Sequence, residues 1–338
     1  MTDLDTALLT VGDQQAHPDP FPLVVGLRTA TATMSDVVTW IATERRRLIE
    51  SLSLHGAVLF RGFPVHDAND FDAFIRAYAL ESFTYEESLS NAVRVNCTEL
   101  VFTANEAPPD VSIYLHHEMA QTPLFPSRLF FFCEKAPRVD GQTPICRSDV
   151  LLERLAERDP EFVEACSRLG VRYSNVMPAQ DDPESGQGRS WRSTLGVDRK
   201  MQAEERLGNL GYRFEWLEND ALRTTTAVLP AIRTLVDGRR VFFNQLIAAF
   251  RGWKDVRNAE QKSICFGDDS DISPDSMQIA IELADELSFD IAWQPGDVAL
   301  IDNFLVMHGR RPFAGERRVL ASLVADAGYQ SASGSGLN

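Results

Sequence analysis

The chain has 338 residues and a formal net charge of −16, and its 44% hydrophobic and 24% charged residues are ordinary for a soluble globular protein. No apolar run is long enough to cross a bilayer, and the negative charge disfavours nucleic acid and anionic membranes as partners. Five scattered cysteines without metal-site spacing, and an acidic start without a secretory pattern, predict a reduced, cytoplasmic protein.

In chain order, the sequence predicts a loose N-terminal arm over residues 1–25, a single domain over 26–328 and a flexible Ser/Gly-rich tail over 329–338. Apolar residues at helical spacing predict helices over 35–54, 67–79 and 150–168. Apolar runs bounded by turn residues predict strands over 56–63, 93–95, 100–102, 113–115, 129–133, 240–244, 289–293, 298–302 and 318–324. Strands with helices inserted between them favour a barrel or jelly roll.

Three residues form a candidate metal site. His116 and Glu118, two positions apart, would share one face of a strand, whereas His117 would point to the other face. His308, 190 residues after Glu118, would arrive from a distant strand. Two histidines and one carboxylate form the facial triad of non-haem Fe(II) oxygenases. An isolated His-x-Glu pair is commonly a chance occurrence, and a zinc hydrolase with the same ligands is an alternative.

Two adjacent arginines, Arg317 and Arg318, follow His308. Neighbouring strand residues face opposite sides, so one guanidinium should point inwards, where it needs a carboxylate partner. That partner is either an anionic ligand or one of the chain's own acids. Upstream, Pro295 and Gly296 predict a type II turn that directs the strand leading to His308.

A polar insert over about 178–225 is predicted to act as a lid. Within it, Gly186 and Gly188 supply flexibility, and Trp191 and Arg192 suit closure over a polar substrate that bears a carboxylate. Arg192 is therefore a candidate substrate-binding residue. A surface loop without a catalytic part is the alternative.

Many ordered segments of the chain resemble one family, the Fe(II)/2-oxoglutarate-dependent dioxygenases of the taurine dioxygenase type (TauD/TfdA). The closer likeness is to the clavaminate synthase-like and syringomycin-biosynthesis-type hydroxylases, which have His-x-Glu in place of His-x-Asp. The likeness runs from about residue 56 to 325 and is carried by residues 58–63, 102–103, 115–119, 131–133, 141–144, 190–191, 222–224, 241–245, 293–297, 302–303 and 308–318.

This resemblance implies an α+β fold with a double-stranded β-helix (jelly roll, cupin-like) core and flanking and inserted helices. It implies Fe(II) at His116, Glu118 and His308, with 2-oxoglutarate and O2 as co-substrates. Arg318 matches the arginine that pairs with the distal carboxylate of 2-oxoglutarate, and Thr143 matches a hydroxyl that also contacts it.

The resemblance is less specific about the substrate. Arg94 matches an arginine of the closer relatives that would bind a substrate carboxylate or form a structural ion pair. Asn244 falls where the family lines its pocket, although a polar core role is equally compatible. Relatives often have Asn in place of His117, and other departures affect the pocket, so their substrates do not carry over.

The resemblance favours hydroxylation of an unactivated carbon in an amino acid or amino-acid-derived small molecule, free or carrier-bound, in natural-product (antibiotic) biosynthesis. Desaturation, epoxidation or cyclisation by the same cofactors is an alternative, as is a non-catalytic jelly-roll binding protein. Because two acidic proteins repel, the net charge weighs mildly against an acidic carrier protein.

Overall fold

The computed structural model describes residues 4–83, 89, 94–104, 107–182, 188–253 and 263–325. The predicted tail over 329–338 lies outside these residues. The helices are α1 (Met34–His55), α2 (Ala68–Arg76), α3 (Ser148–Arg158), α4 (Pro160–Leu169), α5 (Trp191–Leu195), α6 (Lys200–Asn209), α7 (Leu246–Gly252) and α8 (Pro274–Glu286). Within the described ranges, no helix has the length and apolarity required to cross a membrane.

Most strands have two to five residues, whereas two have eight each and one has seven. They are β1 (Thr6–Leu9), β2 (Gln15–Ala16), β3 (Pro20–Phe21), β4 (Leu23–Leu27), β5 (Ala57–Arg61), β6 (Glu81–Ser82), β7 (Phe102–Thr103), β8 (Ile113–His116), β9 (Arg128–Lys135), β10 (Val139–Asp140), β11 (Thr143–Arg147), β12 (Val171–Met177), β13 (Arg213–Trp216), β14 (Leu222–Thr225), β15 (Arg233–Thr234), β16 (Arg240–Val241), β17 (Ile264–Phe266), β18 (Ser288–Ile291), β19 (Val298–Asp302), β20 (Val306–Arg310), β21 (Phe313–Ala314) and β22 (Arg318–Ala325).

A large sheet forms the frame of the molecule, in the order β1, β4, β5, β19, β9, β22 and β6, with β7 also paired to β22. Strands β4 and β5 are parallel, and the other pairs are antiparallel. A smaller antiparallel sheet has the order β18, β11, β20 and β8. One apolar cluster joins the two sheets, because Phe131 and Ala299 of the large sheet pack with Ile145 and Ile291 of the small one.

Helices cover the outer sides of both sheets. Ile41 and Leu52 of α1 and Phe74 of α2 pack with Phe130 and Leu300, which point away from the shared core. Helices α3, α4, α7 and α8 form a second outer cluster that includes Cys146 and Met307 of the small sheet. Both faces of the central strands are therefore buried, which explains their nearly continuous apolar runs.

Local sequence signals explain the best-defined helix. In α1, the Thr33 side chain accepts a hydrogen bond from the Asp36 N–H, and the Asp36 side chain accepts one from the Thr33 N–H, which completes a capping box. Gly56 ends α1 at φ 79°, and a Cβ there would lie 2.7 Å from Val306. The predicted helix over 150–168 is instead two helices, because Pro160 lacks an N–H and Asp159 caps a new helix through Phe162 N.

The N-terminal segment is not the predicted loose arm. Strand β1 pairs with β4 from Thr6 opposite Leu27 to Leu9 opposite Val24, which extends the large sheet. Leu4 and Phe21 are buried. The boundary predicted at residue 25 therefore falls inside a strand of the main sheet.

The predicted lid insert contains regular structure. Within its described residues, α5 and α6 pack on β12 and β14 of a third sheet, whose order is β13, β14, β12 and β17. Trp191, Leu195 and Leu207 form their common core. Gly186 lies outside the described residues.

Candidate metal centre

Strand pairing brings the two candidate histidine ligands together. In the small sheet, β20 pairs with β8 so that His308 lies opposite His116, and the ring centroids are 4.4 Å apart. The strands approach closely here, because a Cβ on Gly309 would lie only 2.5 Å from Ile113 O. A glycine after His308 is therefore required for this arrangement, and a register shift follows between His308 and Arg310.

Glu118 completes the cluster from a turn rather than from a strand. Strand β8 ends at His116, and Met119 has φ 60° in the turn that follows. The Glu118 Oε2 atom lies 3.4 Å from His308 Nε2 and 4.0 Å from His116 Nε2. One ligand atom from each residue lies within 4.8 Å of the others. This donor set, two imidazoles and one carboxylate, fits a single Fe(II) ion.

A hydrogen bond at Nδ1 leaves the Nε2 atom of His116 free to bind a metal ion. Its Nδ1 lies 2.8 Å from the Tyr114 carbonyl oxygen, which can only accept, so Nδ1 carries the proton and the Nε2 lone pair is available. Burial, aided by the nearby His308, lowers the pKa of His116 to about 4. The ring is therefore neutral near pH 7, as a metal ligand must be.

His117 faces away from this cluster, as the sequence predicts. It is fully buried, its Nδ1 donates to Asn303 O at 2.5 Å, and its ring packs 4.8 Å from that of Phe243. Burial lowers the pKa of His117 to about 3. Its role in the structure is to anchor the turn to the core.

Asn303 fixes the backbone on either side of the Glu118 side chain. Its Oδ1 accepts a hydrogen bond from Glu118 N at 2.8 Å, and its Nδ2 donates to Glu118 O at 3.1 Å and to Pro126 O at 2.7 Å. Asn303 is fully buried. With the bond from His117, three bonds join this residue to the ligand-bearing turn.

Arg94 forms an ion pair with the second oxygen of the Glu118 carboxylate. Its Nη2 lies 2.8 Å from Oε1, and both side chains are more than nine-tenths buried. Burial alone would raise the pKa of Glu118, but the charge of Arg94 and the hydrogen bond from His308 outweigh burial and hold that pKa well below its usual range. Glu118 is therefore ionised, with Oε2 directed at the histidines. Of the two roles that the sequence left open for Arg94, substrate binding and a structural ion pair, the structure shows the ion pair.

A cavity of about 60 Å³ adjoins the three candidate ligands. Its wall includes Thr143, Arg310 and Arg317 together with His116 and His308. Arg310 donates to the carbonyl oxygens of Ala107, Pro108 and Val111, so it holds the 107–111 segment in place.

Of the two adjacent arginines, Arg317 lines this cavity, whereas the sequence-based assignment was Arg318. The Arg318 side chain is about half exposed and pairs with Glu134 at the surface. Arg317 donates from Nε to Gly141 O at 3.0 Å and from Nη2 to Thr143 Oγ1 at 3.3 Å. Residues 317, 319 and 321 face the core side of the sheet. Because side chains alternate between the two faces of a strand, Arg318 faces the other side.

Arg317 is a partly buried cation, and none of the described carboxylates pairs with it. Within the described parts of the chain, no carboxylate lies at ion-pair distance from it. Burial, reinforced by repulsion from Arg310, lowers the pKa of Arg317 to about 10. A guanidinium in this setting gains from an anionic ligand, and its planar geometry matches a carboxylate.

The structure places the other two predicted substrate-binding residues outside this cavity. Asn244 is buried, its Nδ2 donates to Ala231 O and its Oδ1 accepts from Leu246 N, both at 3.0 Å. Arg192 lies over the ring of Trp191 and donates to Ala179 O at 2.7 Å. Asn244 thus has the core role that the sequence left open, and Arg192 is used within the insert.

A second cavity, of about 40 Å³, lies between the insert and the residues that follow Glu118. Gln121 and Thr122 of the ligand-bearing turn contribute to its wall, opposite Asn175 and Tyr212. The described residues that line it carry no charge. Gln121 Oε1 is buried and, among the described residues, has no hydrogen-bond partner. The cavity therefore offers neutral polar groups.

Comparisons with known proteins show which family the chain belongs to. The family model described as taurine catabolism dioxygenase TauD, TfdA family matches residues 19–323. A clavaminate synthase-like protein of Arabidopsis thaliana is 41% identical over 318 residues, which cover 92% of this chain and 96% of that protein. The dapdiamide synthesis protein DdaC of Enterobacter agglomerans is 30% identical over 328 residues, covering 92% and 95%. Among solved structures, PvcB of Pseudomonas aeruginosa superimposes with a TM-score of 0.54 at 15% identity, covering 95% of this chain and 91% of that one.

Proposed function

Because the chain belongs to the TauD/TfdA family of dioxygenases, we propose that His116, Glu118 and His308 hold Fe(II) and that Arg317 and Thr143 bind 2-oxoglutarate beside it. The chain is an oxygenase, and Fe(II), 2-oxoglutarate and O2 are the cofactor and co-substrates of its family. We also propose that the two facing sheets form the double-stranded β-helix predicted from the sequence.

The observation that carries the residue assignment is the position of Arg317. It lines the same cavity as the metal cluster, it is partly buried, and no carboxylate of the described residues neutralises it. A dicarboxylate that reaches from the metal to Arg317 would supply the missing charge. Thr143, on the same wall, adds a hydroxyl.

When bound, Fe(II) would activate O2, which is the oxidant, and 2-oxoglutarate would supply two of the electrons as it is converted to succinate and CO2. The chain's own residues provide the placement. Arg94 holds one oxygen of Glu118 and leaves the other to face the histidines. His116 keeps its proton on the side of Tyr114 O. Arg317 and Thr143 would orient the distal end of the co-substrate.

For the substrate, we propose an amino acid or an amino-acid-derived small molecule, hydroxylated at an unactivated carbon. Two observations support this proposal. One relative is named for dapdiamide synthesis. The cavity beside the ligand-bearing turn offers uncharged polar groups from Gln121, Asn175 and Tyr212, which suit an amide or hydroxyl group of a substrate.

The co-substrate assignment is tested by a matched pair of variants. Calorimetric titration of 2-oxoglutarate into anaerobic Mn(II)-loaded protein should give a dissociation constant at least tenfold higher for Arg317→Gln, because a charge-assisted hydrogen bond contributes about 1.5–3 kcal/mol. Arg318→Gln removes the same charge from the adjacent residue and should change the constant less than twofold. Comparable losses in the two variants would refute the inward placement of Arg317.

The substrate proposal is tested with a panel of free amino acids, their amides and their carrier-protein thioesters. With a saturated substrate, succinate release and a product 16 mass units heavier identify hydroxylation, whereas a product two units lighter identifies desaturation or cyclisation. Succinate released at the same slow rate with every compound would refute the amino-acid class and leave the oxygenase assignment intact.

A further inference from the structure

Thr143 in the cavity accepts two hydrogen bonds from the protein. Trp293 Nε1 donates to Thr143 Oγ1 at 2.9 Å, and Arg317 Nη2 donates to the same oxygen at 3.3 Å. Trp293 and Thr143 are both more than nine-tenths buried. Indole N–H and guanidinium N–H groups can only donate, so the direction of both bonds is fixed.

This arrangement determines what the Thr143 hydroxyl can do. A hydroxyl has two acceptor positions and one hydrogen. With both acceptor positions occupied, the only remaining bond is one that the hydroxyl itself donates. Thr143 lines the cavity that contains the candidate metal ligands, so its hydrogen is available to a ligand there.

We propose that Trp293 is a positioning residue for the co-substrate, because its indole N–H keeps the Thr143 hydroxyl in the orientation that donates to a carboxylate. This inference rests on the proposed function, in which Thr143 and Arg317 hold the distal carboxylate of 2-oxoglutarate. A hydroxyl that already accepts two N–H bonds is polarised and donates more strongly. It also enters the complex already ordered, so binding does not have to restrict its rotation.

The fold holds Trp293 at this position independently of any ligand. Trp293 follows β18, whose Ile291 pairs with Thr143 of β11. It precedes the turn in which Gly296 has φ 91° and Asp297 N bonds to Gln294 O at 3.0 Å. The indole therefore belongs to the scaffold and acts on the ligand only through Thr143.

The test is a double-mutant cycle on Mn(II)-loaded protein, with N-oxalylglycine as the probe in calorimetric titrations. Trp293→Phe keeps the apolar ring and removes the N–H, and it should raise the dissociation constant about fivefold. Thr143→Val should raise it by a similar or larger factor. In the Thr143→Val background, Trp293→Phe should have less than a twofold effect, because the hydroxyl through which it acts is absent.

Two further variants separate positioning from packing. Trp293→His offers a ring N–H and should recover part of the lost affinity. Trp216→Phe removes an indole N–H that donates to Glu204 in the insert, and it should leave binding unchanged. Melting temperatures of the metal-free variants show whether each one is folded.

The possible failures are distinguishable. An unchanged constant in Trp293→Phe, or the same fivefold loss in the Thr143→Val background, would overturn the positioning role and leave the co-substrate site intact. Wild-type affinity in both Arg317→Gln and Thr143→Val would overturn the proposed co-substrate site, and the role of Trp293 with it.

Discussion

Asn303 is not a candidate metal ligand, but we expect metal binding to depend strongly on it. Asn303→Ala removes the three hydrogen bonds that its side chain makes to Glu118 and Pro126. At about 1 kcal/mol for each buried bond, we expect the metal-free protein to lose about 3 kcal/mol of unfolding free energy. Groups that orient metal ligands typically contribute 10- to 100-fold to affinity, so we expect Mn(II) to bind about 10- to 100-fold more weakly.

Asn244→Ala provides a matched control for this prediction. Asn244 is also buried and binds two backbone groups, but its side chain does not contact Glu118. The Asn244→Ala variant should lose about 2 kcal/mol of unfolding free energy and retain wild-type Mn(II) affinity. Unfolding in guanidinium chloride measures the stability, and electron paramagnetic resonance of free Mn(II) measures the affinity. The reasoning fails if Asn303→Ala binds Mn(II) as tightly as wild type, or if both variants lose the metal equally.

Three further predictions concern the histidines and the turn after β18. His116→Ala should abolish Mn(II) binding while His117→Asn retains it, and metal loss in both would refute the assigned orientations. The His117 pKa falls from 6.5 to about 3 on folding, so the unfolded chain binds a proton first as the pH drops below 6.5. The unfolding free energy of the wild type should therefore decrease more steeply with falling pH than that of His117→Asn, by up to about 1.4 kcal/mol per pH unit. Parallel pH profiles for the two proteins would contradict this. Arg61 pairs at 2.7 Å with Asp297, which is 1% exposed, so Arg61→Ala should cost about 3 kcal/mol in thermal unfolding, and a cost under 1 kcal/mol would show that the ion pair is dispensable.

Local patterns were sufficient for several features. The helix predicted over 35–54 is α1 (Met34–His55), because its cap, its apolar spacing and its closing glycine all lie within the segment. The three candidate ligands could be chosen because few histidines occur in the chain, and the structure brings the three together. The turn at Gly296 has the positive φ predicted for it.

The choice between Arg317 and Arg318 could not be made from hydrophobic pattern. Strand β22 is buried on both faces, since Val319 belongs to the core between the sheets and Leu320 to the cluster under α1 and α2. Apolar residues at consecutive positions do not show which residues point between the sheets and which point towards the helices. The phase of the strand is set by its pairing with β9, which is a tertiary property.

The role of Asn303 depends on contacts between distant parts of the chain. Its bonds to Glu118 span 185 residues, and no local pattern distinguishes it from an ordinary turn asparagine. The same limit applies to β1, whose few residues gain their structure from pairing with β4. Composition near three prolines predicted a loose arm, because pairing partners are not visible in composition.

The order in which the strands enter the large sheet has a consequence for biosynthesis. Strand β9 lies between β19 and β22, which are among the last strands of the chain to be translated. A nascent chain that has reached residue 297 exposes both edges of an aromatic strand, and unpaired edges promote association with other chains. His308 also emerges only after residue 297, so the proposed metal site lacks one of its three ligands until then. Chains ending at residue 297 should therefore aggregate and fail to bind Mn(II).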